Sequence, residues 1–296
     1  MVSICIPTFN GAKYLQEALD SVKQQTYKNI EVIVSDDDSK DVSIVLVEQF
    51  KKEVSFPVNI YHHNPKGIGA NWNNCIKKAN GDYIKFLFQD DILLPHCIER
   101  MVAIANKYTN VGFVYSKRLL LFDTKREDYK EWLNLCEELH THWYTLKICE
   151  GVEKGTTYLK DKYFLESPYN KIGEPSAVLL HKSCFKKVGL FSTILNQTLD
   201  LEYWYRLMPY FNIAFVDEEL IKFRLHAGQA TQTNRDIKIK LKEERLLRRI
   251  FLMNIFWFLH KSQRKKLLKE ILFYKKDLYY KKIKKFLKRV KRKLNL

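Results

Sequence analysis

The chain has 296 residues, 46% hydrophobic and 14% aromatic, and a formal net charge of +17. Such a composition excludes a disordered or fibrous chain and supplies a full core, enough for one large or two modest domains at ~150 residues each. Its six cysteines, Cys5, Cys75, Cys97, Cys136, Cys149 and Cys184, show no CxxC spacing, which fits reduced thiols and argues against a disulfide framework.

At the amino terminus, Met1–Pro7 leads directly into a short apolar strand without the charged, apolar and small-residue regions of a signal peptide, so the expected location is the cytoplasm. Over the first 115 residues, strand-like segments Val2–Ile6, Ile30–Ser35, Val58–Tyr61, Tyr83–Phe88 and Val111–Tyr115 alternate with helix-like segments Ala12–Gln25, Asp41–Lys52, Ile68–Ala79 and His96–Tyr108. That order predicts an α/β fold, a mostly parallel sheet flanked by helices, with ligands at the carboxyl ends of its strands. Three polar loops fall at that edge: Pro7–Gly11 after the first strand, Asp36–Asp41 after the second, and Asp90–Asp91 after the fourth.

The fourth strand is the most telling, because a buried run of Tyr83, Ile84, Phe86, Leu87 and Phe88 ends in two adjacent carboxylates. In a low-dielectric crevice these repel unless a cation sits between them. Hard oxygen ligands suit Mg²⁺ or Mn²⁺, which one or two carboxylates hold while substrate phosphates fill other positions. The competing reading is that the pair caps the helix that follows.

Between Lys117 and Lys171 the pattern is loop-rich, with His140, His142, Trp143 and Tyr144 between Cys136 and Cys149. The residue types suit a zinc site but the spacing matches no common one, so an aromatic wall facing an acceptor is the more natural expectation. His62–His63, beside the third strand, reads as exposed packing.

Charge is concentrated at the carboxyl end. Lys plus Arg and Asp plus Glu number 29 each over residues 1–235, but 22 against 5 over 236–296. Apolar residues recur there at helical spacing: Leu246, Leu247, Ile250 and Phe251, then Leu267, Leu268, Ile271 and Leu272, then Ile283, Phe286, Leu287 and Val290. The most apolar stretch, Ile250–Leu259, is ten residues, half of the ~20 that span a bilayer. Residues 236–296 therefore read as a basic amphipathic helical extension suited to an anionic membrane surface, with packing onto the body as the competitor. Nucleic acid is the poorer partner, since the extension lacks a reading module and the body is neutral.

Three blocks, CIPTFNGAKYLQEALDSVKQQTYKNIEVIVSDDDSKD (5–41), NPKGIGANWNNCIKKANGDYIKFLFQDD (64–91) and GLFSTILNQTLDLEYWYRL (189–207), together resemble an inverting family 2 nucleotide-sugar glycosyltransferase of the GT-A fold, of the kind that builds bacterial surface polysaccharides. The resemblance covers roughly residues 2–230. It implies a Rossmann-like domain over 1–235, with a nucleotide-sugar half (1–115) and an acceptor half (116–235). It also implies that Pro7, Thr8 and Asn10 line a nucleoside pocket, that Asp36 accepts the N3–H of a uracil-type base, and that Asn74 lies near the donor, helix packing being the alternative for Asn74. Asp90, with Asp91, corresponds to the metal-binding end of the DxD motif, for Mg²⁺ or Mn²⁺.

Asp200 aligns with the family's catalytic base, its alternative being a helix-start cap. His226, in a segment that closes over the diphosphate, is implied as metal ligand or phosphate partner, against an ordinary surface histidine. The chain departs from the family pattern at Phe88, where DxD has its first acid, at Asp38, where a glycine is usual, and at Leu199, where an acid precedes the base. The expected activity is transfer from a nucleotide-diphosphate sugar, a UDP-sugar by resemblance, to a glycan or lipid-linked acceptor at the inner face of the cytoplasmic membrane. The alternative is a non-catalytic nucleotide- or membrane-binding module. A pure binder has no need of both a metal carboxylate and a base.

Overall fold

A computed structural model describes residues 1–122, 137–226, 228–229 and 237–273. Its centre is a nine-stranded sheet. β1 (Val2–Thr8) and β2 (Ile30–Asp36) are almost wholly buried runs, as expected of strands covered on both faces. They pair in parallel with each other, with β3 (Val58–His62) on one side and with β4 (Tyr83–Phe86) on the other. Side chains alternate between two cores: Ile4, Ile6, Val32 and Val34 face one layer, Cys5 and Ile33 the other. α1 (Ala12–Lys23) buries Leu15, Ala18, Leu19 and Val22, the stripe predicted from its spacing. α2 (Ser43–Glu53), α3 (Ile68–Lys78) and α4 (Cys97–Lys107) complete the flanking layers. The expected α/β class, a large mostly parallel sheet between helices, is the observed one.

Two features lie beyond the sequence pattern. The fourth strand stops at Phe86 rather than Phe88, and the chain turns through a hydrogen bond from Asp91 N to Phe88 O (3.1 Å) into the short β5 (Ile92–Leu93). Asp90 and Asp91 are therefore in a turn and do not cap α4, whose N-cap is His96. The second feature is continuity between the two halves. β8 (Val178–His181) inserts antiparallel between β4 and β6 (Val111–Leu121), and β9 (Asn212–Arg224) runs parallel to β6. β5 and β7 (Gly151–Lys154) both pair antiparallel with β9.

α5 (Gly155–Leu159), α6 (Ser183–Val188) and α7 (Leu199–Leu207) pack on this second half. α8 (Ile237–Asn254) and α9 (261–273) follow. Leu247, Phe251, Ile255, Leu259 and Leu267 belong to the same buried cluster as Trp204 and Tyr205 of α7. A boundary at residue 235 thus cuts through a shared core, because the inner face of the extension supplies part of it. Gln263 reinforces the attachment: its Oε1 accepts from Leu165 N (3.2 Å) and its Nε2 donates to Lys162 O. The apolar positions at Ile283–Val290 lie outside the described residues.

Candidate active site

The loop after β1 is held from two sides. Gln89 clamps the Phe9 backbone, accepting from Phe9 N (2.9 Å) and donating to Phe9 O (3.1 Å). This contact requires Gly11, because a Cβ there would come within 2.2 Å of Gln89 Oε1. On the other side Asn10 N donates to Ser39 Oγ (2.8 Å) and Asn10 Oδ1 accepts from Lys40 N (2.8 Å), so Asn10 ties the first polar loop to the second. Asn10 and Asp38 have φ of 48° and 63°. The position where a glycine is usual does need left-handed backbone, which Asp adopts more readily than most residues.

Asp36 is buried at the end of β2. Its carboxylate accepts from Thr8 Oγ1 (2.8 Å), Ser39 Oγ (2.6 Å) and Ser39 N (2.8 Å), which fixes its orientation at the strand ends beside Pro7 and Thr8. The sequence pattern reads His63 as exposed packing. Instead its Nδ1 lies 2.5 Å from Asp37 Oδ1, and its N–H donates to Asp36 O (2.8 Å). Burial lifts the Asp37 carboxyl above its ordinary range, with His63 opposing. On α3, Asn74 Nδ2 donates to Ser35 Oγ (2.8 Å), joining the helix to β2. Phe88, in the place of an acid, stacks on Trp72 with ring centroids 5.0 Å apart.

The adjacent carboxylates have separate surroundings. Asp90 Oδ2 is 3.0 Å from His226 Nε2, although 136 residues separate them in sequence. β9 delivers His226, and Arg224 pins the approach: its Nε donates to Asp90 O (3.0 Å) while its guanidinium covers the Tyr14 ring at 4.4 Å. Tyr14 also packs against His226, with ring centroids 5.0 Å apart. Asp91 is fully buried. Its Oδ2 accepts from Ser176 Oγ (2.5 Å) and its Oδ1 from Arg224 N (3.1 Å). Burial, then the charge of Asp90, lifts its pKa well above the carboxylate range. Both Asp91 oxygens thus accept hydrogen bonds inside the protein, where they anchor β9, whereas Asp90 turns its carboxylate to His226.

Asp200 lies in the first turn of α7, one residue past Leu199, and Thr198 is the N-cap. Desolvation lifts the Asp200 carboxyl to about 7, opposed by hydrogen bonds from the helix amides and from Asn170. Asn170 is a partner of Asp200 to which nothing in the sequence pattern points. Its Oδ1 accepts from Ile172 N (3.1 Å) and Gly173 N (3.0 Å), and its Nδ2 donates to Asp200 Oδ2 (3.0 Å). No spacing in the sequence signals this, because the contact spans a loop and a helix start thirty residues apart. From the opposite side, buried Glu243 of α8 accepts from Asn196 N (2.5 Å) and Gln197 N (3.1 Å), fixing the segment that enters α7. Because Asn170 lowers the Asp200 pKa, Asn170→Ala should move the acidic limb of the kcat–pH profile upward from about 7. At neutral pH it should cost several-fold in kcat with little change in donor KM. An unmoved limb would leave Asn170 as a loop residue.

The zinc set fares differently. Cys136 lies outside the described residues, Cys149 is exposed, and His140 stacks on Phe215 at 5.0 Å. Trp143 is buried against Tyr158 and Phe164 rather than lining a wall. Among the described residues of this region, Tyr144, Tyr163 and Tyr169 are exposed aromatics, and Tyr169 adjoins Asn170. Among the described residues no three His, Cys, Asp or Glu side chains converge as a metal cage.

An oriented acid beside the first loop and an acid–imidazole pair after the fourth strand thus lie at the carboxyl ends of parallel strands, the edge where open α/β sheets bind their ligands. Residues 3–164 match Glycosyl transferase family 2, more than half of the chain, and the chain belongs to that family. It is 31% identical over 235 residues to an uncharacterized glycosyltransferase of Rickettsia typhi and 32% identical over 235 residues to one of Rickettsia prowazekii. Each alignment covers 79% of this chain, and the chain spans 66% of the length of each relative. Among solved structures, S. aureus TarS 1-349 in complex with UDP-GlcNAc superimposes with a TM-score of 0.65 at 17% identity, covering 92% of this chain and 71% of that one. The mannosyltransferase PcManGT from Pyrobaculum calidifontis, in complex with GDP-Man and Mn²⁺, gives 0.54 at 16% identity, over 85% and 63%.

Proposed function

We propose that the protein is an inverting, metal-dependent glycosyltransferase that moves a sugar from a nucleotide-diphosphate sugar, a UDP-sugar, to a glycan or lipid-linked acceptor in surface-polysaccharide synthesis. It works at the inner face of the cytoplasmic membrane. The observation that carries this reading is that the one short segment from Asn170 to Ser176 anchors both Asp200 and the turn that bears Asp90. Asn170 holds Asp200 while Ser176, six residues on, holds Asp91 beside Asp90.

Asp36 has two anchored oxygens with lone pairs to spare, and it accepts the base's N3–H. Pro7, Thr8 and Asn10 flank the nucleoside, and Asn74 supports that wall from α3. Asp90 and His226, paired at 3.0 Å, are the residues that would hold the divalent ion. One carboxylate and one imidazole would suit Mn²⁺ better than Mg²⁺, with the donor's phosphates as further oxygen ligands. Bound there, the ion would neutralise charge developing on the leaving diphosphate. Asp200, with a carboxyl at about 7, is half ionised at neutral pH and takes the acceptor hydroxyl's proton. Attack from the face opposite the diphosphate inverts the anomeric carbon, and exposed Tyr169 offers the acceptor sugar a stacking surface.

The test is a panel of nucleotide sugars assayed for slow hydrolysis with Mn²⁺, with Mg²⁺ and with excess EDTA. One UDP-sugar turned over with Mn²⁺ and silenced by EDTA is the expected result. Unchanged turnover in EDTA would end the metal-dependent reading, and absence of both turnover and donor binding across the panel would favour the non-catalytic module.

A further inference from the structure

α9 has two faces of opposite character. Its inner face, carrying Gln263 and Leu267, is buried against the body. Its outer face, at helical spacing, presents Lys261, Lys265, Leu268, Lys269 and Leu272, all exposed. The apolar stripe read from the sequence is therefore divided: Leu267 is inside, while Leu268 and Leu272 face water at 42% and 58% exposure. Immediately before α9, the end of α8 exposes Met253 at 74%, and the turn that follows exposes Trp257 at 80% with Phe258 beside it at 37%. These large apolar side chains, interleaved with lysines, stand open to solvent and outside the buried core.

Charge selects the occupant. Lys and Arg outnumber Asp and Glu by 22 to 5 from residue 236 onward, whereas residues 1–235 balance. An indole at the boundary of apolar and polar media, flanked by long basic side chains that extend toward headgroups, is what an anionic bilayer interface accommodates. Among the described residues no helix is long and apolar enough to cross a membrane, so the face lies on the surface. We infer that the Met253–Phe258 segment and the outer face of α9 form the surface that docks on an anionic bilayer, with Trp257 as the interfacial anchor. α8 extends about 15 Å from Glu243, which holds the Asp200 segment, to Met253 at this surface. Docking there keeps the candidate base within reach of an acceptor whose lipid lies in the bilayer. The inference deepens the membrane part of the proposed function, and vesicle binding is read without substrate, so its failure leaves the transferase reading standing.

The experiment sediments the full chain with vesicles of phosphatidylglycerol and phosphatidylcholine, and with phosphatidylcholine alone. Binding to the anionic vesicles only, weakening as salt rises, is expected. The Trp257 fluorescence should shift to the blue on binding, a signal absent from Trp257→Phe. Trp257→Ser with Lys261→Glu and Lys265→Glu should weaken sedimentation about tenfold or more, with circular dichroism unchanged. Binding that persists in this triple variant but disappears on truncation after residue 273 would overturn the assignment of this face. So would equal binding to neutral vesicles, loss of a dimer in the Trp257→Ser variant without any vesicle binding, or retention of nucleic acid in place of lipid.

Discussion

Asp200→Asn should abolish sugar transfer while making the protein more stable. The substitution keeps the shape and the hydrogen bond from Asn170 but removes the basic oxygen, so kcat should fall by about 10²–10⁴ with donor affinity nearly unchanged. The stability gain follows from the raised pKa. An acid at about 7 in the folded chain, against ~3.9 unfolded, binds its proton more tightly when folded. Its contribution is therefore greatest at low pH and is lost as pH rises from about 4 to about 7. At neutral pH the half-ionised, desolvated carboxylate costs stability that Asn does not, about 1–2 kcal/mol after allowance for its partial exposure. Thermal unfolding at pH 7.5 and at pH 4 measures this directly, since the gain should be present at the first pH and shrink at the second. A variant that loses donor binding and keeps the transfer step would show Asp200 to be a structural residue. One that loses stability at both pH values would show the carboxylate to be satisfied rather than poised.

The neighbouring aspartates should separate cleanly by mutation. Asp90→Ala removes the one carboxylate paired with His226 and should abolish turnover and Mn²⁺-assisted donor binding, with a stability change within about 0.5 kcal/mol. Asp91→Ala strips the partners from the buried Ser176 hydroxyl and Arg224 amide and should destabilise by about 2–4 kcal/mol. Asp91→Asn, close in shape and neutral, should restore most of that stability and retain Mn²⁺ dependence. Denaturant midpoints and Mn²⁺ titrations of nucleotide binding report the two effects independently. Loss of Mn²⁺ dependence in a stably folded Asp91→Asn would place Asp91 among the metal ligands.

Periodicity and composition were enough to determine the parallel half of the sheet and its covering helices. Continuous buried runs such as IEVIVSD, alternating with one-sided stripes such as Leu15, Ala18, Leu19 and Val22, leave few other ways to bury their apolar surface. The polar loops at the strand ends were legible for the same reason, because chain direction in a parallel sheet carries those loops to one edge. Only the tertiary structure could separate the contacts of Asp90 from those of Asp91. Adjacent residues on a turn point in different directions, and whether each meets His226 or Ser176 depends on segments about 85 to 136 residues away. The same holds for Asn170, for Glu243 and for the division of the basic extension between core and surface. Spacing shows that a helix has an apolar stripe, but which side chains it buries is decided by the body against which it packs.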